Sequence, residues 1–283
     1  MAELLKGAPA AAALIEKAKT ECEELRAKGV VPTLAILRVG ENAGDISYEK
    51  GACKKAEAAG VEVKKVLLPA DVPQEEFDRA LSGLNEDPSV HGILMFRPLP
   101  AHLDGEKARN MLSPDKDVDG CTDGSLAAVF TGSGRGFAPC TARAAVEMLK
   151  YYGVEISGKK AAVIGRSLVV GRPVAMLLMS EGATVVNCHT KTPDTAAVCR
   201  AADILISAAG RLHCVNETFT NPDQVVIDVG INWDEEKGKI SGDCDLGEDS
   251  PVKAISPVPG GVGAVTSAVL ISHVVEAASK VVK

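Results

Sequence analysis

Two observations predict an α/β protein with two domains. Apolar strands alternate with helical segments along most of the 283 residues, and strands joined by helices pair in parallel through right-handed crossovers. The alternation stops at residues 131–139, which are rich in glycine and proline, and then starts again. A chain of this length is long enough for two domains, each with its own buried core.

The first domain is predicted to contain three strands and three helices. Over residues 9–29, small apolar residues alternate with charged ones at helical spacing, which predicts an amphipathic helix that ends at Gly29. Two more helices are predicted at residues 47–59 and 73–84. Strands are predicted at residues 33–39, 61–68 and 91–96.

The second domain repeats the pattern. Helices are predicted at residues 141–152, 172–180 and 194–201, and strands at 160–164, 183–187, 203–208 and 225–229. A final helix at about 264–281 is longer than this sheet needs, so it is expected to return to the first domain. We therefore predict one domain at residues 1–138 plus about 264–283, and the other at 139–263.

Composition favours a soluble globular protein and disfavours several classes of partner. Hydrophobic residues make up 46% of the chain and charged residues 24%, with a net charge of −7. Nucleic acids and anionic membranes both need a basic face. The N-terminus does not resemble a secretion signal and no apolar run is expected to reach membrane-spanning length, so we expect a cytoplasmic protein with neither partner.

The cysteines and one acidic segment raise the question of a metal. Eight cysteines are scattered without a C-x-x-C pair or zinc-type spacing, so they are expected to be reduced and buried, with no metal site. Asp115, Asp117 and Asp119 lie within five residues. They could form a metal site or a solvated acidic turn, or one carboxylate could accept two N–H donors from a flat heterocycle.

A strand, a glycine turn and a helix start follow one another at residues 159–173. Gly165 can take the positive φ of a tight turn, and Gly171 lets the helix approach the strand closely. A helix start attracts anions such as the phosphates of a nucleotide. The spacing G-x-S-x-x-x-G differs from the usual G-x-G-x-x-G and is weak evidence alone. Together with the repeated strand–helix units, it predicts a Rossmann-type second domain.

The end of the next strand bears on the choice of cofactor. An NAD site usually places an acidic residue there, about twenty residues after the first glycine, but residues 188–192 contain no carboxylate. Arg166 and Lys191 could instead meet a 2′-phosphate, which favours NADP and leaves NAD as the alternative. Both could equally be solvated surface cations. His189 could contact the ribose, or it could have a structural role.

A second glycine-rich loop spans residues 257–263. Two prolines stiffen its start and three glycines leave its backbone bare, so a flat ligand could lie directly on it.

Five motifs occur here in the order seen in the methylenetetrahydrofolate dehydrogenase/cyclohydrolase (FolD) family, and the chain resembles that family over nearly its whole length. The motifs are Asp117-Val118-Asp119-Gly120, Pro139-Cys140-Thr141, Val163-Ile164-Gly165-Arg166-Ser167 with Val170-Gly171-Arg172-Pro173, Asp228-Val229-Gly230-Ile231-Asn232 and Pro257-Val258-Pro259-Gly260-Gly261-Val262-Gly263.

The resemblance implies a fold, a reaction and a set of site residues. It implies a homodimer with a cleft between two α/β domains, and hydride transfer from 5,10-methylenetetrahydrofolate to NADP. Many members then hydrolyse the methenyl product to 10-formyltetrahydrofolate. Carried over by motif, the catalytic residues are Tyr48 and Asp119; the tetrahydrofolate derivative is bound by these two with Pro257, Gly260 and Gly261; and the cofactor is bound by Gly165, Arg166, Ser167, Gly171, Thr190 and Ile231.

The chain departs from the family at two positions that serve hydrolysis. The family reads Tyr-x-x-x-Lys on a first-domain helix, and i and i+4 share one helix face. Here Tyr48 is followed by Ala52. The family strand end Val-Gln-Leu-Pro-Leu-Pro, whose glutamine bonds that lysine, reads Met95-Phe96-Arg97-Pro98-Leu99-Pro100. We therefore expect the dehydrogenase with weak or absent cyclohydrolase activity.

Two other interpretations stay open. The protein could be an ordinary bifunctional enzyme in which Lys50, Lys54 or Lys55 replaces the missing amine, whereas Arg97 is too basic to act as a base near pH 7. It could also be a non-catalytic sensor that binds NADP and no folate, although Tyr48 and Asp119 argue against that.

Overall fold

The structure is a computed structural model that describes residues 1–281, so the last two residues of the predicted C-terminal segment lie outside the described residues. It divides into two compact units, each built from two stretches of chain. We call residues 1–11 with 141–266 the six-stranded unit, and residues 12–140 with the stretch from Ser267 onward the three-stranded unit.

The elements alternate along the chain as the sequence predicts. Within residues 1–281 the strands are β1 (Glu3–Leu4), β2 (Thr33–Val39), β3 (Glu62–Leu68), β4 (Gly92–Met95), β5 (Lys160–Ile164), β6 (Thr184–Cys188), β7 (Ile204–Ser207), β8 (Val225–Asp228), β9 (Asn232–Asp234), β10 (Lys239–Ser241) and β11 (Ala254–Ile255). In the same part of the chain the α-helices are α1 (Gly7–Ala27), α2 (Ala43–Ala59), α3 (Gln74–Glu86), α4 (Gly105–Met111), α5 (Asp123–Thr131), α6 (Cys140–Tyr151), α7 (Gly171–Ser180), α8 (Thr195–Arg200) and α9 (Val262–Ser279).

The three-stranded unit has a parallel sheet in the order β3-β2-β4. Three apolar residues recur on α3 at helical spacing, so they form one face that joins the core with Leu37 and Ile93 of the sheet. The three are Phe77, Leu81 and Leu84.

Helix α2, which carries Tyr48, is fixed at both ends by local sequence. The side chain of Asn42 accepts from the N–H groups of Gly44 and Asp45 at 2.8 and 3.2 Å. Gly60 ends the helix in the left-handed conformation with φ of 76°. The helix begins four residues before the predicted start because the cap lies upstream of the apolar pattern.

An ion triad, in which Glu49 and Arg38 are buried and Lys65 is partly exposed, ties α2 to its sheet. The Glu49 side chain is only 7% exposed and lies 2.9 Å from Nε of Arg38 on β2 and 2.8 Å from Nζ of Lys65 on β3. Burial alone would raise the pKa of Glu49, but hydrogen bonds from Lys65 and Arg38 outweigh it and lower the pKa. Since Glu49 follows Tyr48 directly, the triad also sets the rotation of the helix that presents Tyr48.

The six-stranded unit has an all-parallel sheet in the order β1-β11-β8-β7-β5-β6. The two-domain α/β fold predicted from the sequence is therefore confirmed. One difference concerns the first eleven residues, which were predicted in the domain 1–138. They join the six-stranded unit because Glu3 and Leu4 pair with Ala254 and Ile255.

Each predicted helix and strand has a counterpart, with ends shifted by a few residues. The elements not predicted are short: the two-residue strands β1 and β11, the hairpin of β9 and β10, the helices α4 and α5, and a 3₁₀ helix at Glu217–Phe219. The two α-helices could have been found from their caps, since Asp104 accepts from Lys107 N–H and Thr122 accepts from Ser125 N–H.

Helix α9 corrects the expectation that no apolar run reaches membrane-spanning length. Its 18 residues are long and apolar enough by composition, with a mean hydropathy of 1.5. However, 67% of that window is buried inside the protein, as in the core helix of a globular domain. Length and hydropathy alone do not distinguish a buried core helix from a membrane-spanning helix.

We predict that Glu49→Ala lowers the free energy of unfolding by about 3 kcal/mol or more, because it leaves Arg38 buried without its partner. Urea unfolding at pH 7 measures this. Because the pKa of Glu49 is lowered in the folded protein, its contribution is present above the ordinary glutamate range and is lost as the pH falls. The control is Glu21→Ala, which removes only an exposed pair with Lys17 at 3.8 Å. Equal losses in the two variants would contradict the prediction.

Candidate functional site

The acidic segment 115–119 is organised by one buried carboxylate. Asp117 is fully buried and accepts from the backbone N–H groups of Cys121 at 3.0 Å and Thr122 at 2.7 Å. In the described part of the chain, no group of three or more His, Cys, Asp or Glu side chains is arranged to hold a metal ion. Asp117 therefore fixes the turn, and the neighbouring Asp119 takes no part in these two hydrogen bonds.

Asp119 is a carboxylate with a perturbed acidity. Its side chain is 27% exposed, and Oδ2 lies 3.8 Å from Nη2 of Arg97. Burial raises the pKa of Asp119 to about 6, with Asp117 acting in the same direction and Arg97 opposing both. At pH 7 most of the population is ionised, so Asp119 can accept two N–H donors from a flat ring.

Tyr48 lies in the second turn of α2 and is half-buried. The Phe96 ring meets it edge-on, with centroids 6.0 Å apart and an interplanar angle of 86°. Burial raises the pKa of Tyr48, and the Cys140 thiol and Asp119 carboxyl add to the effect. The phenol is therefore a stable hydrogen-bond donor with one aromatic neighbour already in place.

The amines near Tyr48 differ in their surroundings. Ala52, one turn after Tyr48 on the same face, is fully buried and carries no polar group. Lys50 and Lys54 are exposed. Lys55 is half-buried, and its Nζ donates to Oγ of Ser267 at 2.7 Å. Burial lowers the pKa of Lys55, with a further contribution from Lys54.

The glycine turn between β5 and α7 has the shape that a nucleotide phosphate needs. Gly165 has φ of 113°, and a Cβ there would collide with the carbonyl oxygen of Ala208. A Cβ on Gly171 would collide with the carbonyl of Gly165. Both positions therefore require glycine, and the bare backbone at the start of α7 fits a dinucleotide phosphate.

The polar residues around this turn are accessible. Ser167 is exposed, and its Oγ accepts from the N–H groups of Val170 at 3.1 Å and Gly171 at 3.4 Å, which leaves its own proton to donate. Arg166, Thr190 and Lys191 are exposed. His189 has a structural partner, since its Nδ1 accepts from the N–H of Lys191 at 3.1 Å.

A cavity of about 270 Å³ in the six-stranded unit joins two of the sequence motifs. It brings the segment after β8 against the loop 257–263. Among the predicted site residues, the structure gathers Ile231, Pro257, Gly260 and Gly261 in this cavity. Gly165, Arg166, Ser167 and Gly171 lie together in the turn after β5, Thr190 follows the neighbouring strand β6, and Tyr48 and Asp119 belong to the three-stranded unit.

Sequence reasoning missed two buried carboxylates near these motifs. Asp228 accepts from the N–H groups of Gly230, Asp243 and Cys244 at 2.8 to 3.1 Å. Asp243 is fully buried and holds the loop after β7. Asp228 stood in a recognised motif, but no local pattern marks Asp243, whose partners are distant in sequence.

Comparison with known proteins gives consistent matches over the whole chain. The model for the NAD(P)-binding domain of tetrahydrofolate dehydrogenase/cyclohydrolase matches residues 139–282, and the model for its catalytic domain matches residues 5–119. The bifunctional protein FolD of Carboxydothermus hydrogenoformans is 48% identical over 279 residues, which cover 98% of this chain and 97% of that protein.

Two solved structures extend the comparison. The bifunctional FolD dehydrogenase/cyclohydrolase from Campylobacter jejuni is 37% identical, with a TM-score of 0.93 and 99% of both chains covered. The Trypanosoma brucei N5,N10-methylenetetrahydrofolate dehydrogenase-cyclohydrolase, complexed with NADP and an inhibitor, is 34% identical with a TM-score of 0.90. That match covers 100% of this chain and 99% of the other.

We predict that Arg97→Leu raises the pKa of Asp119 above its value of about 6, because the variant removes the cation that opposes burial and Asp117. Carboxyl-carbon NMR over a pH titration measures the change. Arg109→Leu is the matched control, since Arg109 pairs with Asp123 at 3.3 Å in the same unit. An unchanged Asp119 titration in Arg97→Leu would show that the ion pair has no effect on it.

Proposed function

The chain belongs to the tetrahydrofolate dehydrogenase/cyclohydrolase family, and we propose that it is an NADP-dependent 5,10-methylenetetrahydrofolate dehydrogenase with weak or absent cyclohydrolase activity. In the proposed reaction a hydride leaves the methylene carbon and NADP+ becomes NADPH, so the folate product is the 5,10-methenyl cation. The observation that carries the proposal is the absence of an amine at Ala52 beside a site that keeps Tyr48 and Asp119.

Two of the proposed folate contacts, Tyr48 and Asp119, belong to the three-stranded unit. Tyr48 offers an aromatic face for stacking, and Phe96 holds that ring from the edge. Ionised Asp119 accepts N–H groups from the pterin and so fixes its orientation. The residues Pro257, Gly260 and Gly261 are proposed to border the substrate, because they line a cavity with little side-chain bulk.

The six-stranded unit supplies the cofactor site. When bound, NADP provides the nicotinamide ring that accepts the hydride. The backbone at Gly165 and Gly171 is bare, and Ser167 has a free proton to donate to a phosphate oxygen. Arg166 and Lys191 are exposed cations suited to the 2′-phosphate, which favours NADP over NAD. Thr190 and Ile231 are proposed as further contacts.

Loss of hydrolysis follows from what each step requires. Hydride transfer needs two carbons held close together and needs no proton transfer. Hydrolysis of the methenyl product needs water to be activated, and losing a general acid–base group typically costs roughly 10²–10⁴-fold in rate. At the position one turn after Tyr48 the chain has a buried methyl group, and Phe96 brings an aromatic edge instead of an amide.

Lys55 favours one alternative, the bifunctional enzyme. It lies seven residues after Tyr48, two turns along the same helix face, and burial lowers its pKa, which favours the neutral amine that a base requires. Its Nζ donates a hydrogen bond to Oγ of Ser267, which restricts the rotation of the side chain. A residual hydrolytic activity would point to Lys55 before Lys50 or Lys54.

We also propose a homodimer in the cytoplasm. The hairpin of β9 and β10 supports the dimer, because Trp233 and Ile240 pair across it and are 65% and 43% exposed. Sedimentation should give twice the mass of one chain, and Trp233→Ser should shift the protein toward the monomer. A wild-type monomer at micromolar concentration would rule out the dimer.

The purified protein should convert methylenetetrahydrofolate and NADP to the methenyl product, which should accumulate and decay at the uncatalysed rate. Absorbance of the methenyl product and of NADPH measures both steps. NADP should give the higher kcat/KM when compared with NAD. Rapid formation of 10-formyltetrahydrofolate would contradict the loss of hydrolysis, and absence of NADPH would contradict the dehydrogenase itself.

The double variant Ala52→Lys with Phe96→Gln should gain methenyl hydrolysis, about 10-fold or more above background, because it returns an amine and an amide to the Tyr48 face. Stopped assays with the methenyl substrate measure this gain. The control is Glu57→Gln, at an exposed position on α2, which should leave the rate of methenyl hydrolysis unchanged.

Lys55→Met tests the alternative directly. If hydrolysis is absent, the variant should match the wild type in the methenyl assay while dehydrogenase activity is kept. A wild-type hydrolysis that this variant abolishes would establish Lys55 as the displaced amine.

A further inference from the structure

Asp243 is a fully buried carboxylate with five hydrogen-bond donors. Oδ2 accepts from the N–H of Ala209 at 2.7 Å, the N–H of Gly210 at 3.1 Å and the hydroxyl of Ser207 at 3.3 Å. Oδ1 accepts from the N–H of Arg211 at 2.9 Å and from Nδ2 of Asn232 at 3.0 Å. A buried charge is tolerated when its oxygens are saturated in this way.

Most of the donors belong to two segments, one beside the glycine turn and one at the cavity of the loop 257–263. Residues 208–211 follow β7, and the carbonyl of Ala208 occupies the space where a side chain at Gly165 would lie. Asn232 opens β9 directly after Ile231, which lines the cavity of the loop 257–263. One carboxylate therefore holds both the wall of the glycine turn and the start of the segment at the cavity.

The backbone of Asp243 is also hydrogen-bonded to Asp228 at the end of β8. Its backbone N–H donates to Oδ1 of Asp228 at 3.1 Å, and Asp228 also accepts from Gly230 N–H. A Cβ at Gly230 would collide with the Asp243 carboxylate, so the chain passes over it without a side chain. Neither segment can shift without breaking charge-assisted hydrogen bonds.

We propose that Asp243 is a positioning residue for the dinucleotide: by gathering the N–H groups of residues 209–211 and the amide of Asn232, it holds the loop after β7 and the segment of Ile231 in the conformation that NADP requires. The inference rests on the proposed function, because it takes NADP as the ligand of this unit. Asp243 acts through these segments and makes no contact with the cofactor.

A purely structural role makes a different prediction, and the chain offers a matched control. Gln224 precedes β8, at the opposite end of the strand from Asp228. It is fully buried, and its Nε2 donates to the carbonyls of Cys199 at 2.7 Å and Ala202 at 2.9 Å. Its loss removes buried hydrogen bonds from the same sheet without touching residues 208–211 or Asn232.

The test compares Asp243→Asn with Gln224→Ala in the full-length protein. Asparagine keeps the volume at position 243 but turns an NH₂ group toward backbone donors. We expect the dissociation constant of NADPH to rise about 10-fold or more in Asp243→Asn, the size expected for lost charge-assisted bonds. Energy transfer from Trp233, the sole tryptophan, to NADPH measures binding. The KM for NADP should rise in parallel, with the folate KM unchanged.

Gln224→Ala should lower the melting temperature and keep the NADPH dissociation constant within about twofold of the wild type, since it leaves the cofactor loops intact. An unchanged dissociation constant in Asp243→Asn overturns the proposal, and so does an equal rise in both variants. If wild-type protein binds NADPH but does not oxidise methylenetetrahydrofolate, the proposed function fails while the Asp243 comparison still stands.

A measurement on the wild type covers the case in which Asp243→Asn does not fold. Amide hydrogen exchange without cofactor should find the N–H groups of residues 209–211 strongly protected, because Asp243 holds them before the dinucleotide arrives. Exchange at the rate of an open loop would mean that the segment is not held in advance, and the proposal would be wrong.

Discussion

The structure depends on buried carboxylates that take backbone N–H groups as their partners. Asp117 fixes the turn before α5, Asp228 the end of β8 and Asp243 the loop after β7. A buried charge is costly unless its oxygens are satisfied, so each loop has one conformation that satisfies them and many that do not. These hydrogen bonds restrict the conformations of the loops that carry the candidate site, and a restricted loop has a smaller ordering cost on binding a ligand.

Because some of these carboxylates bond groups that are distant in sequence, the sequence predicts the helices and strands but not every residue that holds the loops. Periodic segments predicted the helices and strands that the structure contains, and the family resemblance led to the proposal of Tyr48, Asp119 and the glycine turn as site residues. Asp243 was missed because its partners lie 11 to 36 residues away, and only the folded sheet brings them together. Residues 1–11 were assigned to the other domain because the pairing of Glu3–Leu4 with Ala254–Ile255 is too short to leave a pattern. Hydropathy could not tell a buried α9 from a spanning helix, because burial depends on what packs around it.

The two chemical steps of the family make different demands on such a scaffold. Hydride transfer draws on rigidity, since a small error in the distance between two carbons costs much of the rate. Hydrolysis also needs a group that changes protonation near pH 7. The surroundings of Tyr48 are rigid, because the ring of Phe96 packs against the Tyr48 ring. They have no group that changes protonation near pH 7 at position 52, where Ala52 is apolar, and the Tyr48 phenol stays protonated. The packed rings of Tyr48 and Phe96 can orient a substrate, but they cannot transfer a proton to or from it.

Three departures from the family pattern, Ala52, Phe96 and Arg97, act on one electrostatic balance. Asp119 carries a pKa raised by burial and by Asp117, so a site without any cation would hold it partly protonated near neutral pH. By the resemblance to the family, Ala52 stands in the place of a lysine and Phe96 in the place of the glutamine that bonds it. The guanidinium of Arg97 lies 3.8 Å from Asp119 and supplies a positive charge there. The proposed loss of hydrolysis rests on this combination, a cation beside Asp119 and no amine at the position one turn after Tyr48.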